Sequence, residues 1–332
     1  MAENRGNESA GPARPGAETL ELLANPLNAT ILQGLGEGPK RLAELRRSSG
    51  AAPQTTVRAH LKYLEHADLA VLQPRDGEPR VLEWALTDAG QNLLEVSSAL
   101  DRWLQDCPDG PLSFGGEAGK MAIKALVGGW SSTILCLLAA GPLTLTELAE
   151  CIRTLSYPGL ERRLSAMRLV GQVEPVESDR QGTPYQVTEW LREGARPLAA
   201  AIRWEYTHRP EGAPPLSRSD TEAAFLLSLP LLHLAQSLRG SCGLGIEMND
   251  DEGSHCGVSA QLDGGRVVDC AAELKDDVDA TATGTPAAWA MAMLEASTGP
   301  LELAGEKKLA TGLVNGLHGT LFGDPTAAGA PH

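Results

Sequence analysis

Between residues 27 and 87 the apolar positions keep two different periods. Leu27, Ile31 and Leu35 recur at helical spacing, and Gly38-Pro39 ends that run. A short second helix is predicted next, with Leu42 and Leu45 turned inward and Lys40, Arg41, Arg46 and Arg47 around it. Ser48-Ser49-Gly50 makes a turn, and Pro53 opens a third helix, since proline at the first helical position loses no hydrogen bond. Val57, Leu61 and Leu64 form its inner stripe, while Gln54, Thr55, Thr56, Arg58 and Lys62 face out. The period then drops to two. Val71-Leu72 and Val81 to Leu86 read as strands around Asp76-Gly77, with Leu82, Trp84 and Leu86 on the inner face. Arg75 and Arg80 flank the hairpin tip.

Helix, turn, helix, hairpin is the order of a winged helix-turn-helix. Its third helix would read DNA and its hairpin would be a basic-tipped wing. Three stretches, Gly38 to Leu45, Val57 to Leu69 and Ala85-Leu86-Thr87-Asp88-Ala89-Gly90, resemble the HxlR family of bacterial winged-helix regulators. That family writes a Gly-Pro-basic-x-x-x-Glu-Leu helix and closes its wing with Leu-Thr-x-x-Gly. Leu27 departs from it, standing where the family often has tryptophan.

The pattern recurs. Trp130 to Leu148 repeats Leu27 to Leu45 at a constant offset of 103 residues, with Ile134, Leu138, Gly141-Pro142 and Glu147-Leu148 in matching places. Trp130 supplies the tryptophan that the first copy lacks. Leu164 and Met167 take the places of Leu61 and Leu64. A second wing runs from Val173 to Val187, tipped by Asp179-Arg180-Gln181-Gly182. An amphipathic helix follows each copy, capped by Thr87 and Thr188. One carries Leu93, Val96, Leu100 and Trp103, the other Leu191, Leu198 and Ile202. In HxlR dimers such helices pack subunits together, so the resemblance implies a pseudo-dimer within one chain, or a homodimer. The plainer alternative is that each helix only covers its own domain.

Two linkers divide the chain, Cys107 to Pro111 and Arg209 to Pro215. The expected organisation is a disordered arm over residues 1–18, winged helices over 19–107 and 116–209, and a third domain over 216–323. The third domain reads as an apolar helix, Thr221 to Leu238, interrupted by Pro230, then four strands, a helix from Pro286, a strand at Leu301-Glu302-Leu303 and a last helix with Leu309, Leu313, Leu317 and Leu321 on one face. Asp263-Gly264-Gly265 marks a hairpin turn. Asp279 to Trp289, Leu301 to Gly305 and the last helix are similar to the sterol-carrier-protein-like fold, whose sheet and helices enclose an apolar tunnel. The expected class is therefore α+β, two tandem winged helix-turn-helix domains followed by an α+β sterol-carrier-like domain.

The net charge of −15 works against a nucleic-acid partner, because affinity comes largely from phosphate neutralisation. Its distribution changes that picture. Residues 1–110 carry a net −5, residues 111–213 a net 0 and residues 214–332 a net −10, so the acid gathers at the far end. Six cysteines without a CxxC pattern argue for reduced thiols. Residues 1–18 have no apolar signal-peptide core and no window is apolar enough to span a bilayer, which points to the cytoplasm and away from membranes.

The DNA-facing candidates are Lys40, Arg41, Arg46, Arg47, Gln54, Thr55, Thr56, Arg58, Lys62, Arg75 and Arg80 in the first copy. Tyr157, Arg162, Arg163, Arg168 and Arg180 are those of the second. Gln and Arg suit adenine and guanine edges, and wing arginines suit phosphate or the minor groove. A solvated polar face accounts for the same residues without DNA, and Glu161 would repel phosphate if it pointed outward. Phe225, Trp289 and Met293 are candidates for a ligand cavity, or plain core. Asp250-Asp251-Glu252 with His255-Cys256 matches no metal geometry and reads as a solvated loop. No Gly-rich phosphate loop, GxSxG or HExxH motif occurs, so neither an enzyme nor a cofactor is expected. The expected function is a bacterial transcription regulator that binds double-stranded DNA and responds to a small apolar ligand. The rivals are a winged-helix protein-interaction module and a lipid carrier.

Overall fold

The computed structural model describes residues 14–50, 52–127, 129–153, 155–179, 181–247 and 256–323. The first described element is α1 (Ala17–Ala24), whose first two residues fall where the end of a disordered arm over 1–18 is expected. Leu20 and Leu23 are fully buried there, a stripe that secures the helix despite its polar neighbours. Residues 1–13 lie outside the described part. Then come α2 (Pro26–Gly36), α3 (Leu42–Ser48) and α4 (Gln54–His66). The Asn25 side chain caps α2 through the Leu27 amide at 3.0 Å, and Pro26 follows as a first helical residue. Pro53 sits one step earlier than expected, at the cap of α4. Val57, Leu61 and Leu64 are fully buried against Ile31 and Leu45.

The wing is β1 (Ala70–Arg75) and β2 (Glu78–Leu86), paired antiparallel around Asp76-Gly77. Leu82 is 53% exposed, so the inward face expected to include it begins at Trp84. Only the base of the hairpin lies over the helices; toward the tip there is no core for Leu82 to enter. Lys40 forms a bridge to Trp84 that ties the start of α3 to the wing. The Leu-Thr-x-x-Gly closure has a steric reason. A Cβ on Gly90 would lie 2.0 Å from the Leu69 carbonyl oxygen, so the helix that follows can pass the strand only with glycine there.

That helix is α5 (Asp88–Gln105), capped by Thr87 through the Gly90 amide. Next come α6 (Glu117–Val127) and then the same order again: α7 (Gly129–Ala140), β3 (Leu143–Thr144), α8 (Leu145–Cys151), α9 (Tyr157–Leu169), β4 (Val173–Pro175) and β5 (Pro184–Val187). Ile134, Leu138, Leu148, Leu164 and Met167 are buried. The Trp130 side chain lies outside the described part. Leu143 pairs with Tyr185 where Lys40 pairs with Trp84. Thr188 caps α10 (Glu189–Glu193), and the expected second amphipathic helix breaks at Gly194 before α11 (Ala195–His208).

α5 and α11 lie against one another, and their tryptophans make a reciprocal contact. Trp103 and Trp204 are 101 residues apart, as are Ala89 and Trp190. The Trp103 indole donates to the Trp190 carbonyl at 2.7 Å, and the Trp204 indole donates to the Ala89 carbonyl at 2.9 Å. Residue i of one copy thus meets residue j of the other and the reverse, as at a two-fold interface. Trp103 and Trp190 also stack, 4.7 Å apart and 8° from parallel.

The last third is α12 (Arg218–Ser228), β6 (Gly240–Ile246), β7 (Cys256–Asp263), β8 (Arg266–Ala271), β9 (Ala280–Gly284), α13 (Pro286–Glu295), β10 (Glu302–Gly305) and α14 (Lys307–Phe322). α12 stops ten residues before the expected Leu238, passing through a 3-10 turn at Leu229–Leu231 that contains Pro230. The strands form one sheet in the order β10-β9-β6-β7-β8, parallel only between β6 and β9. Gly264 and Gly265 both have positive φ, as the tight β7–β8 hairpin requires. α11 holds this part in place. The Arg196 guanidinium donates to the Thr320 carbonyl at 2.9 Å, and Arg203 lies 4.4 Å from the centre of the Phe322 ring.

Candidate nucleic-acid interface

α4 presents an exposed polar face. Val57, Leu61 and Leu64 fix its rotation by entering the core, which leaves Gln54, Thr55, Thr56 and Arg58 exposed on the other side. None of these four side chains has a polar partner among the described residues, so their donors and acceptors are open to a ligand. Lys62 is exposed but engaged, 2.6 Å from Glu65 and 5.8 Å from the Trp84 ring centre.

The basic residues of α3 are more committed. Arg46 donates to the Ala52 carbonyl at 3.3 Å and Arg47 to the Ala43 carbonyl at 3.4 Å, each keeping further donors exposed. Lys40 is half-buried and pairs with Glu37, whose carboxyl it holds below the usual range. Glu44 is likewise lowered, by the backbone amide of Arg41. At the wing, Glu78 lies 4.0 Å from both Arg41 and Arg75, and Glu83 lies 3.9 Å from Arg75. Arg80 is exposed. These carboxylates leave a signal in the sequence, since Glu37 and Glu65 each stand three residues from the lysine they pair with, the second pair along α4 itself.

On α9, Tyr157 is 48% exposed, and Arg162 and Arg168 are exposed while Arg163 is half-buried. Arg168 lies 5.4 Å from the Tyr185 ring centre. Glu161 does point outward, and Leu169 is 80% exposed, so this face is less suited to phosphate than that of α4. Arg180, and the acidic run Asp250 to Glu252 with His255, lie outside the described residues.

The ligand candidates do not come together. Phe225 and Trp289 are fully buried and meet edge to face, 4.7 Å apart, with the Trp289 indole donating to the Gly245 carbonyl at 2.8 Å. They are core of the last third. Met293 alone of the three lines a cavity, which lies between the parts of the chain. Among the described residues no cluster of three or more His, Cys, Asp or Glu is placed to hold a metal ion, and no helix is long and apolar enough to cross a membrane.

A trihelical core, a helix bared on its outer side and a two-stranded wing define a winged helix-turn-helix in the first third of the chain. Residues 22–109 match the HxlR-like helix-turn-helix family. No curated protein matches the chain.

Proposed function

We propose that the chain is a bacterial transcription regulator that reads double-stranded DNA through α4, with the second winged helix beside it and the last third as a sterol-carrier-like sensor of a small apolar ligand. The observation that carries this is the unpartnered Gln-Thr-Thr-x-Arg face of α4 within the HxlR-like stretch. The repeat of elements and the reciprocal tryptophan contacts support a pseudo-dimer in one chain. The five-stranded sheet with α13 and α14 supports the sterol-carrier likeness. Titration of the chain with its own promoter fragment tests the reading. Binding should fall steeply with salt, each phosphate contact adding about −0.9 to the slope of log affinity against log salt. No binding at low salt to any genomic fragment would sink it.

One observation favours the protein-interaction reading. Glu37, Glu65, Glu78 and Glu83 already occupy Lys40, Lys62, Arg41 and Arg75, in a chain of net charge −15. Two substitutions separate the cases. Arg58→Ala should weaken binding by about 1–3 kcal/mol and relax preference at one base pair, as loss of a bidentate guanine contact does. Arg47→Ala should weaken every sequence alike. A panel of point-changed operators reads both, and a uniform loss for Arg58→Ala would move it among the phosphate contacts.

A further inference from the structure

We propose that the cavity where the N-terminal strap (residues 14–17), α11 and the last third meet binds a compact neutral molecule, apolar over most of its surface and carrying one hydroxyl. The cavity has a volume of about 100 Å³. It exists because small side chains face each other from three helices: Ala195 and Ala199 on α11, Ala223 and Ala224 on α12, and Ala290 on α13. Close-packed interiors leave few voids larger than a water molecule, so an apolar space of this size at a junction suits an apolar guest better than water.

The polar end of the site is one ion pair. Arg14 Nε lies 3.7 Å from Asp220 Oδ1, and both side chains line the cavity. The other Asp220 oxygen is taken by the cap of α12, accepting from the Ser217 hydroxyl at 2.6 Å and its amide at 3.1 Å. What remains is one carboxylate oxygen and the Arg14 donors that its hydrogen bond with Cys136 leaves over, with no net charge between the pair. An anion would be repelled by Asp220 and a cation by Arg14. A hydroxyl satisfies both, donating to Asp220 and accepting from Arg14. Cys136, the remaining polar group on the wall, has its thiol pushed up to about 11 by burial and adds no charge.

The position also says what an occupant would do. It would touch the strap, α11 and α12 at once, and α11 carries Trp204 of the inter-copy contact. This gives the ligand class for the regulator reading above and rests on it only for that purpose, since binding is measured without DNA. The experiment titrates the full chain with phenol by isothermal titration calorimetry, with benzene and benzoate in parallel, single rings that suit a cavity of this size. A single saturable site is expected, with phenol about tenfold tighter than benzene, the worth of a charge-assisted hydrogen bond, and benzoate weaker than phenol. Ala224→Phe should abolish phenol binding. Arg14→Met should erase phenol's advantage over benzene, and it keeps the test decisive if the phenylalanine variant does not fold. No saturable phenol binding, a preference for benzoate, or binding that Arg14→Met leaves unchanged would overturn the assignment. A chain that binds phenol but no DNA would overturn the regulator reading alone.

Discussion

Trp103→Ala is expected to destabilise the protein by about 3–5 kcal/mol, the range for emptying a buried tryptophan site. Trp103 is 3% exposed and stacks on Trp190. Truncation would open a cavity against the Trp190 ring and leave the Trp190 carbonyl without the indole that now donates to it at 2.7 Å. The converse bond, from the Trp190 indole to the Trp103 carbonyl at 2.6 Å, uses the backbone and survives substitution only if α5 stays in place. Trp103→Phe keeps most of the ring and should cost less. Urea unfolding followed by far-UV circular dichroism measures both, and a shift of under about 1 kcal/mol for the alanine variant would mean that the contact carries little of the fold's stability.

Glu205→Ala should produce the second large loss, about 3–5 kcal/mol, by a different route. Glu205 is 4% exposed on α11 and accepts from the Gly16 amide at 2.6 Å, the Thr19 hydroxyl at 2.6 Å and the Thr19 amide at 3.3 Å. Removing it orphans these buried donors, each of which costs about 1–3 kcal/mol when unmet. Glu205→Gln keeps an acceptor and should lose less. Hydrogen exchange at residues 16–24 is the sensitive readout. The alanine variant should lose protection there before it does elsewhere, and unchanged exchange in α1 would refute the role given to Glu205.

Periodicity made the first winged helix legible, because Val57, Leu61 and Leu64 obey a local rule that burial enforces. The succession of helices and strands along the last third was legible for the same reason, though not the order of the strands in the sheet. What failed to show were features set by distant residues. Ala17 and Glu18, the first residues of α1, fall within the expected arm because the contact that fixes the start of this helix, Thr19 to Glu205, spans 186 residues. Leu82 obeyed the strand period and still faces solvent, since the period cannot say where a core ends. Phe225 and Trp289 were named together for a cavity and do meet, but as neighbours filling a space. The cavity itself is made by alanines, which leave no signal in an apolar pattern. The joint between copies was half visible: Trp103 lay on a noted face, while the 101-residue spacing to Trp204 became meaningful only with both carbonyl partners in view.

The reciprocal joint between α5 and α11 lies inside one polypeptide, and this alters how the two copies behave on dilution and under mutation. Two separate subunits part company when scarce, so their occupancy of a site depends on the square of their concentration. Here the partner is tethered and always present, and the local concentration of one copy near the other is set by the chain, not by expression level. A homodimer also suffers every substitution twice, symmetrically. In this chain Trp103 and Trp204, or Arg58 on α4 and Glu161 on α9, change one at a time. The two copies are therefore free to diverge while their joint keeps the geometry of a symmetric pair.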